Sequence, residues 1–303
     1  MAGVCLITTV PAVAAPGSVR AVPAAPIAGR LGACRVDGCV LLCGLDHDRE
    51  DASGPADSLR RRPPGASMVS EPAVSLPVMY QRWSWMTFAH WRYPAPVVQR
   101  LLPDGLTVET YLDDAWVGLA MFMMEGVRPP GLPAVPWLSR FPETNVRTYV
   151  RDRQGRSGIW FLSLDAARLP AVLGGRAGFG LPYYWSRMSV GTAGPRVRYR
   201  CRRYWPGPGG ARGDAEIEMG EACTEEEYDE TSHFLIERYR LFTRMAGRLA
   251  TARVEHPRWP LRHARLRGLD QSLLQAGGLP EPYGPPLLHA SVGVPVRIGM
   301  LHR

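Results

Sequence analysis

The chain has 303 residues, 46% of them hydrophobic and 21% charged, a balance that supports a folded core of ordinary size. No apolar run approaches the roughly 18–20 residues a membrane-spanning helix needs, the longest being the strand-length stretch 115–124, so the sequence reads as a soluble, cytoplasmic protein with no membrane partner. The net charge is +8, and all 36 basic residues are Arg. They are scattered, with no zinc-finger or RNA-recognition pattern among them, so nucleic acid is not an expected partner and a coding bias explains the Arg excess.

Residues 1–67 are rich in Ala, Pro and Gly, show no sustained period and carry 7 Arg against 6 acidic residues. They are expected to be a disordered leader or an upstream extension ahead of a domain starting near Met68. A signal peptide fits poorly, because no Lys or Arg precedes the apolar run 4–15. Cys34, Cys39 and Cys43 lack the two-residue spacing of common zinc knuckles. With Cys5, Cys201 and Cys223 they are expected to be free thiols.

From Leu76 onward the pattern is one of strands and tight turns. Residues 106–112 alternate, Asp113-Asp114 turns the chain, and 115–124 returns, which predicts a hairpin. A second hairpin joins 146–150 to 158–164 across a turn holding Gly155. A third joins 196–205 to 214–220 across a Pro/Gly-rich loop. A two-turn helix is predicted at 165–173, ending before Gly174-Gly175. A longer one is predicted at about 226–244, where Thr224 and Glu227 fit a capping box and Phe234, Leu235, Tyr239 and Phe242 form a stripe. A start at Thr231 or Ser232 fits that helix equally well. Further strands are expected at 249–255 and 292–300. Many short strands with little helix predict an all-β to α+β, barrel-like domain over 68–303.

Four stretches carry candidate chemistry. Trp83-Ser84-Trp85-Met86-Thr87-Phe88-Ala89-His90-Trp91 is dense apolar bulk, with His90 either a core histidine or a ligand-binding residue. In Phe141-Pro142-Glu143-Thr144-Asn145-Val146-Arg147-Thr148-Tyr149-Val150, alternation sets Glu143, Asn145, Arg147 and Tyr149 on one face, either a polar cavity wall or a solvated face with a Glu143–Arg147 contact. In Gly178-Phe179-Gly180-Leu181-Pro182-Tyr183-Tyr184-Trp185 an extended backbone points Tyr183 and Tyr184 to opposite faces, so at most one faces a cavity. Around 234–260, Glu237 and Arg238 are expected to pair or to sit in solvent. His256, His263 and His289 fit no compact metal motif, and no metal or cofactor is expected. Walker loops, dinucleotide fingerprints, nucleophile elbows and zinc-protease motifs are absent.

Taken together, these stretches resemble the YqjF-like family of uncharacterised bacterial proteins. The matching pieces are the 83–91 segment, Leu101-Leu102-Pro103-Asp104-Gly105-Leu106, Glu143-Thr144-Asn145-Val146-Arg147-Thr148-Tyr149, Phe161-Leu162-Ser163-Leu164-Asp165, Pro182-Tyr183, Phe234-Leu235-Ile236-Glu237-Arg238-Tyr239 and the tail from His289. That family is distantly similar to acetoacetate decarboxylase, which implies a closed, cone-shaped β-barrel with a few flanking helices and an internal cavity. The resemblance also implies that Glu143 takes the place of an acidic cavity residue. The decarboxylase lysine pair follows a Gly-x-Pro stretch, and here Gly180-Leu181-Pro182 is followed by Tyr183 and Tyr184. The chain contains no lysine at all, and Arg stays protonated at any useful pH, so Schiff-base catalysis is not expected.

The expected function is binding of a small, anionic organic acid inside the barrel. Arg147 would hold the carboxylate, Asn145, His90 and Tyr183 or Tyr184 would line the site, and Glu143 would exchange protons if desolvation raises its pKa. Alternatives are a non-imine lyase, hydratase or isomerase acting on a small carboxylate, and a structural or interaction protein that exposes its Trp-rich segment. Homo-oligomerisation is compatible with either.

Overall fold

A computed structural model of the chain describes residues 74–303. The leader, the proposed start at Met68, and Cys5, Cys34, Cys39 and Cys43 lie outside the described residues; Cys201 and Cys223 are free thiols.

Among the described residues, thirteen strands follow one another as β1 (Pro77–Tyr93), β2 (Leu106–Val108), β3 (Thr110–Tyr111), β4 (Asp114–Arg128), β5 (Phe141–Asp152), β6 (Ser157–Ala166), β7 (Tyr183–Ala193), β8 (Arg196–Trp205), β9 (Gly213–Ala222), β10 (Arg240–Met245), β11 (Arg248–Glu255), β12 (Leu261–Gln271) and β13 (Leu287–Gly299). Four short helices interrupt them: α1 (Ala95–Gln99), α2 (Leu169–Phe179), α3 (Glu230–Ile236) and α4 (Leu273–Ala276).

The pairing closes on itself twice. The run β13-β1-β4-β5-β6 is common to two circuits. One returns through β10 and β11 to β13, the other through β7, β8, β9 and β12 to β13. The shared strands therefore form a wall with an interior on each side. That explains why β5 is buried at every position from Phe141 to Val150, although its sequence alternates polar and apolar residues. Phe141 and Tyr149 belong to one core cluster with Phe88, Phe122, Leu241, Ala252 and Val254. Val146 belongs to the other, with Val197, Tyr199, Ile217 and Met219. A solvated outer face for the Glu143–Tyr149 row is thereby excluded.

An irregularity in β1 decides which aromatic residue faces which interior. Trp85 adopts φ 51°, and the β1–β4 register shifts between Ser84 and Thr87. Such a bulge reverses the parity of the strand. Trp83 packs with Met86 and Phe88 in one cluster, while Trp85 joins Ala89 and Trp91 in the other. Opposite Ser84 lies Gly293 at φ 121°, where an added Cβ would sit 2.0 Å from the Trp83 carbonyl oxygen. Trp91 is 3% exposed and Trp83 and Trp85 are half-buried, so the Trp-rich segment is not an exposed partner surface.

The second and third expected hairpins are β5–β6 and β8–β9. The first is smaller than expected: β3 pairs β4 across Leu112-Asp113, both at positive φ, and β2 pairs β5 instead. Both helix predictions shift. Residues 165–166 end β6, and α2 runs over Leu169–Phe179 straight through Gly174-Gly175 to a left-handed C-cap at Gly180. The Thr224 amide does donate to Glu227 at 2.8 Å, yet the helix that follows is only Glu230–Ile236, capped by Asp229. Leu241 and Phe242, read as helical, sit in β10, where Leu241 pairs in parallel with Ile159. Closing the first circuit needs a strand there, and long-range pairing overrides the local stripe.

Candidate active site

Within the β10–β11 circuit lies a cavity of about 470 Å³. Glu143, Asn145 and Arg147 of β5 line it in sequence, as alternation requires, together with Tyr183 at the start of β7. Tyr149, the last member of the polar row, is fully buried in the core beside the cavity.

Glu143 is 3% exposed. Its Oε2 accepts a 3.0 Å hydrogen bond from the Tyr183 hydroxyl. Burial pushes its pKa up to about 8; the hydrogen bonds from Tyr183 and Asn145 pull it down, and the Asp165 charge adds to the rise. Burial and the neighbouring Glu143 together push the Tyr183 phenol well above its ordinary value. At neutral pH the pair is therefore a protonated carboxyl next to a neutral phenol. The Tyr183 ring fits because residue 175 in α2 is Gly: a Cβ there would lie 2.4 Å from the ring.

Arg147 is 5% exposed. Its Nη2 donates to the Leu235 carbonyl at 3.3 Å, and its guanidinium carbon sits 4.6 Å over the Phe88 ring. Among the described residues no carboxylate pairs with it, Glu143 included, and its Nε has no hydrogen-bond partner. Asn145 Oδ1 is likewise buried without a partner. A buried cation with an open donor beside an open amide oxygen is a strained arrangement that an incoming anion with a hydrogen-bonding neighbour would relieve.

His90 and Tyr184 do not line the cavity. His90 is 1% exposed, and its Nε2 lies 2.7 Å from the Tyr149 hydroxyl. That hydroxyl donates to the Leu235 carbonyl at 2.7 Å, so His90 is the donor to Tyr149 through Nε2–H. Burial first, then His289 and Arg147, hold its pKa well below the ordinary value. It is a neutral core histidine. Tyr184 points to the opposite face of β7 from Tyr183, and the Arg203 guanidinium sits 3.6 Å from its ring centre. Arg203 in turn makes a buried bidentate pair with Asp165, at 2.9 and 2.6 Å.

Arg238, His256 and Trp259 also line the cavity, and no unambiguous signal in their residue pattern marks them. Arg238 and Glu237 do not pair. Arg238 donates to Glu109 at 2.7 Å, whereas Glu237 accepts the hydroxyls of Tyr228 and Tyr239. His256 is held neutral by burial, and its Nδ1 donates to the Pro257 carbonyl at 2.8 Å. Trp259 stacks on Trp83 with ring centres 6.1 Å apart.

For a metal, the described residues bring Cys223, Glu227 and His263 together, with ligand atoms within 4.8 Å of one another. None of the three lines the cavity. No described helix is long and apolar enough to cross a membrane.

The family model DUF2071, described as an uncharacterized conserved protein, matches residues 80–295. The uncharacterized protein YqjF of Bacillus subtilis (strain 168) is 34% identical over 218 residues, covering 70% of this chain and 86% of that protein. An acetoacetate decarboxylase-like enzyme from Sphingomonas wittichii RW1 superposes with a TM-score of 0.54 at 14% identity, covering 77% of this chain and 95% of its own. The enduracididine biosynthesis enzyme MppR, solved in complex with pyruvate, superposes with a TM-score of 0.50 at 15% identity, covering 80% and 98%. At these identities the likeness establishes a shared fold.

Proposed function

We propose that this chain, which belongs to the DUF2071 family, binds a small organic acid in the cavity, with Arg147 as the carboxylate anchor. The observation that carries this reading is the buried Arg147 guanidinium, which faces the cavity with no carboxylate partner and an open Nε among the described residues. A carboxylate there would form a charge-assisted, bidentate pair. Asn145 Oδ1 would accept from a hydroxyl or amide on the ligand, and the protonated Glu143 would donate to a carbonyl. The pyruvate held by MppR supports a ligand with a carboxylate beside a carbonyl.

A second reading adds chemistry to binding. A carboxyl titrating near 8 beside a phenol is poised for general acid–base work at neutral pH, as a non-imine lyase, hydratase or isomerase would need. No lysine is present to form a Schiff base.

The test is a thermal-shift screen of the full chain against carboxylic and keto acids, with hits followed by calorimetry and product analysis. Binding lost in Arg147→Met is the expected result. Turnover lost in Glu143→Gln would select the enzymatic reading. Hits unaffected by either substitution would overturn the assignment.

A further inference from the structure

The cavity is far larger than its polar groups require. At roughly 30 Å³ per non-hydrogen atom, about the share of a water molecule in the liquid, 470 Å³ has room for about fifteen such atoms. A three-carbon keto acid would leave more than half of that space empty, and it would leave apolar walls facing a void or disordered water.

The polar residues that β5 contributes occupy only part of the cavity's length. Phe141 and Arg147 both line it and are six residues apart on an extended strand, which places their backbones about 20 Å from each other. Glu143 and Asn145 lie between them. From Glu143 toward Phe141, the paired positions of β4 and β1 bring in Phe122, then Met124 and Trp83. Beyond Phe141 the wall is continued by Val127 near the end of β4 and by Pro129 and Leu138 of the β4–β5 connection. That connection also exposes Leu132, Val135 and Trp137 at 60%, 55% and 67%. Polar residues on the cavity wall away from β5 are engaged elsewhere. Gln81 accepts from the Trp83 indole at 2.9 Å, Arg128 donates to the Gly126 carbonyl at 3.0 Å, Arg238 is paired with Glu109, His256 donates to the Pro257 carbonyl, and Arg240, the other cation on the wall, is not free. The open hydrogen-bonding atoms at Asn145 and Arg147 thus lie at one end of a long chamber whose wall past Glu143 is built mainly from Phe122, Met124, Trp83 and Phe141.

We propose that the ligand is amphiphilic: a monocarboxylic acid of about eight to twelve carbons, its carboxylate on Arg147 and its alkyl or aryl-alkyl tail running past Phe122 and Trp83 toward the β4–β5 connection. This rests on the carboxylate-binding reading above and adds the class of tail. Each methylene buried against apolar walls is worth about 0.8 kcal/mol, so it tightens binding by roughly three- to fourfold.

The test titrates the full chain by calorimetry with straight-chain acids from propanoate to dodecanoate, with phenylalkanoic acids, and with the alcohols of the same lengths. The expected result is affinity rising with each methylene to an optimum between octanoate and dodecanoate, roughly a hundredfold or more above propanoate, with the alcohols far weaker. Arg147→Met, checked for folding by circular dichroism, should abolish the difference between acid and alcohol. Ala171→Phe, which puts a ring into the cavity from α2, should move the optimum to shorter acids. Arg147-dependent binding that does not change with chain length would overturn the tail assignment and leave the carboxylate anchor standing. Alcohols binding as tightly as acids, or no acid binding at any length, would overturn the anchor and the tail together. An optimum unmoved in Ala171→Phe would place the tail elsewhere and overturn its assignment to this chamber.

Discussion

Tyr183, at the start of β7, reaches across the cavity wall to Glu143 on β5 and donates a 3.0 Å hydrogen bond to its Oε2. The two residues are forty apart in sequence, and the contact joins the parallel β6–β7 step to the strand that carries the rest of the polar row. A hydrogen bond of this kind favours the charged carboxylate, yet burial outweighs it and holds Glu143 at about 8.

Glu143 should therefore give the fold an alkaline liability. Its folded pKa lies above the unfolded value, so the stability it contributes is fully present below about 4.5 and is lost as pH rises to about 8. His289, lowered to about 4 mainly by burial, acts in the opposite sense, losing its contribution as pH falls from 6.5 toward 4. The two overlap below 6.5, so the clean window is pH 6.5–8. Urea unfolding should show stability falling there by about 2 kcal/mol, a slope that disappears in Glu143→Gln.

Binding should follow the same proton. An anionic ligand next to Glu143 is tolerated while that carboxyl is neutral and repelled once it ionises. Affinity for acids should be flat up to about pH 8 and fall about tenfold by pH 9 in the wild type. In Glu143→Gln it should stay flat throughout.

Arg147 should be worth more to binding than to the fold. Replacing an uncompensated buried cation by an apolar side chain of similar volume removes a desolvation penalty. Arg147→Met should raise the unfolding free energy of the ligand-free protein by about 1–3 kcal/mol while removing acid binding. A large loss of stability would instead show that the guanidinium holds Leu235 and Phe88 in place.

Gly175→Ala tests how the site is built. An alanine normally strengthens a helix, but here its Cβ would meet the Tyr183 ring at 2.4 Å. The clash should cost about 1–3 kcal/mol in thermal unfolding and swing Tyr183 away from Glu143. With that hydrogen bond gone, the pH of the binding fall should move upward, because the bond from Tyr183 lowers the Glu143 pKa.

The Asp165–Arg203 pair should behave as a structural element. Asp165 is fully buried and also receives the Ser186 hydroxyl at 2.7 Å. Asp165→Asn strands the Arg203 charge and should cost about 3–5 kcal/mol in chemical denaturation. The same change removes a negative charge that raises the Glu143 pKa, so the alkaline fall should begin at lower pH.

The alternation of Glu143, Asn145 and Arg147, the opposed directions of Tyr183 and Tyr184, and the absence of lysine were all legible in the sequence. Each depends only on the two-residue period of an extended chain or on composition, and local backbone geometry enforces that period wherever the strand forms. The β5–β6 and β8–β9 hairpins were legible for a similar reason, because their turns lie next to their strands. The expected helix at 226–244 shrank to Glu230–Ile236 because β10 closes a circuit with a strand about eighty residues earlier, a demand that local periodicity does not encode. The bulge at Trp85, which sends Trp83 and Trp85 to different interiors, accompanies a register shift against β4 that the two-residue period does not encode. The burial of His90 in the core, the lack of a carboxylate at Arg147 among the described residues and the raised pKa of Glu143 are likewise tertiary. A side chain's type is written in the sequence, but its desolvation and its partners are set by distant segments packed against it.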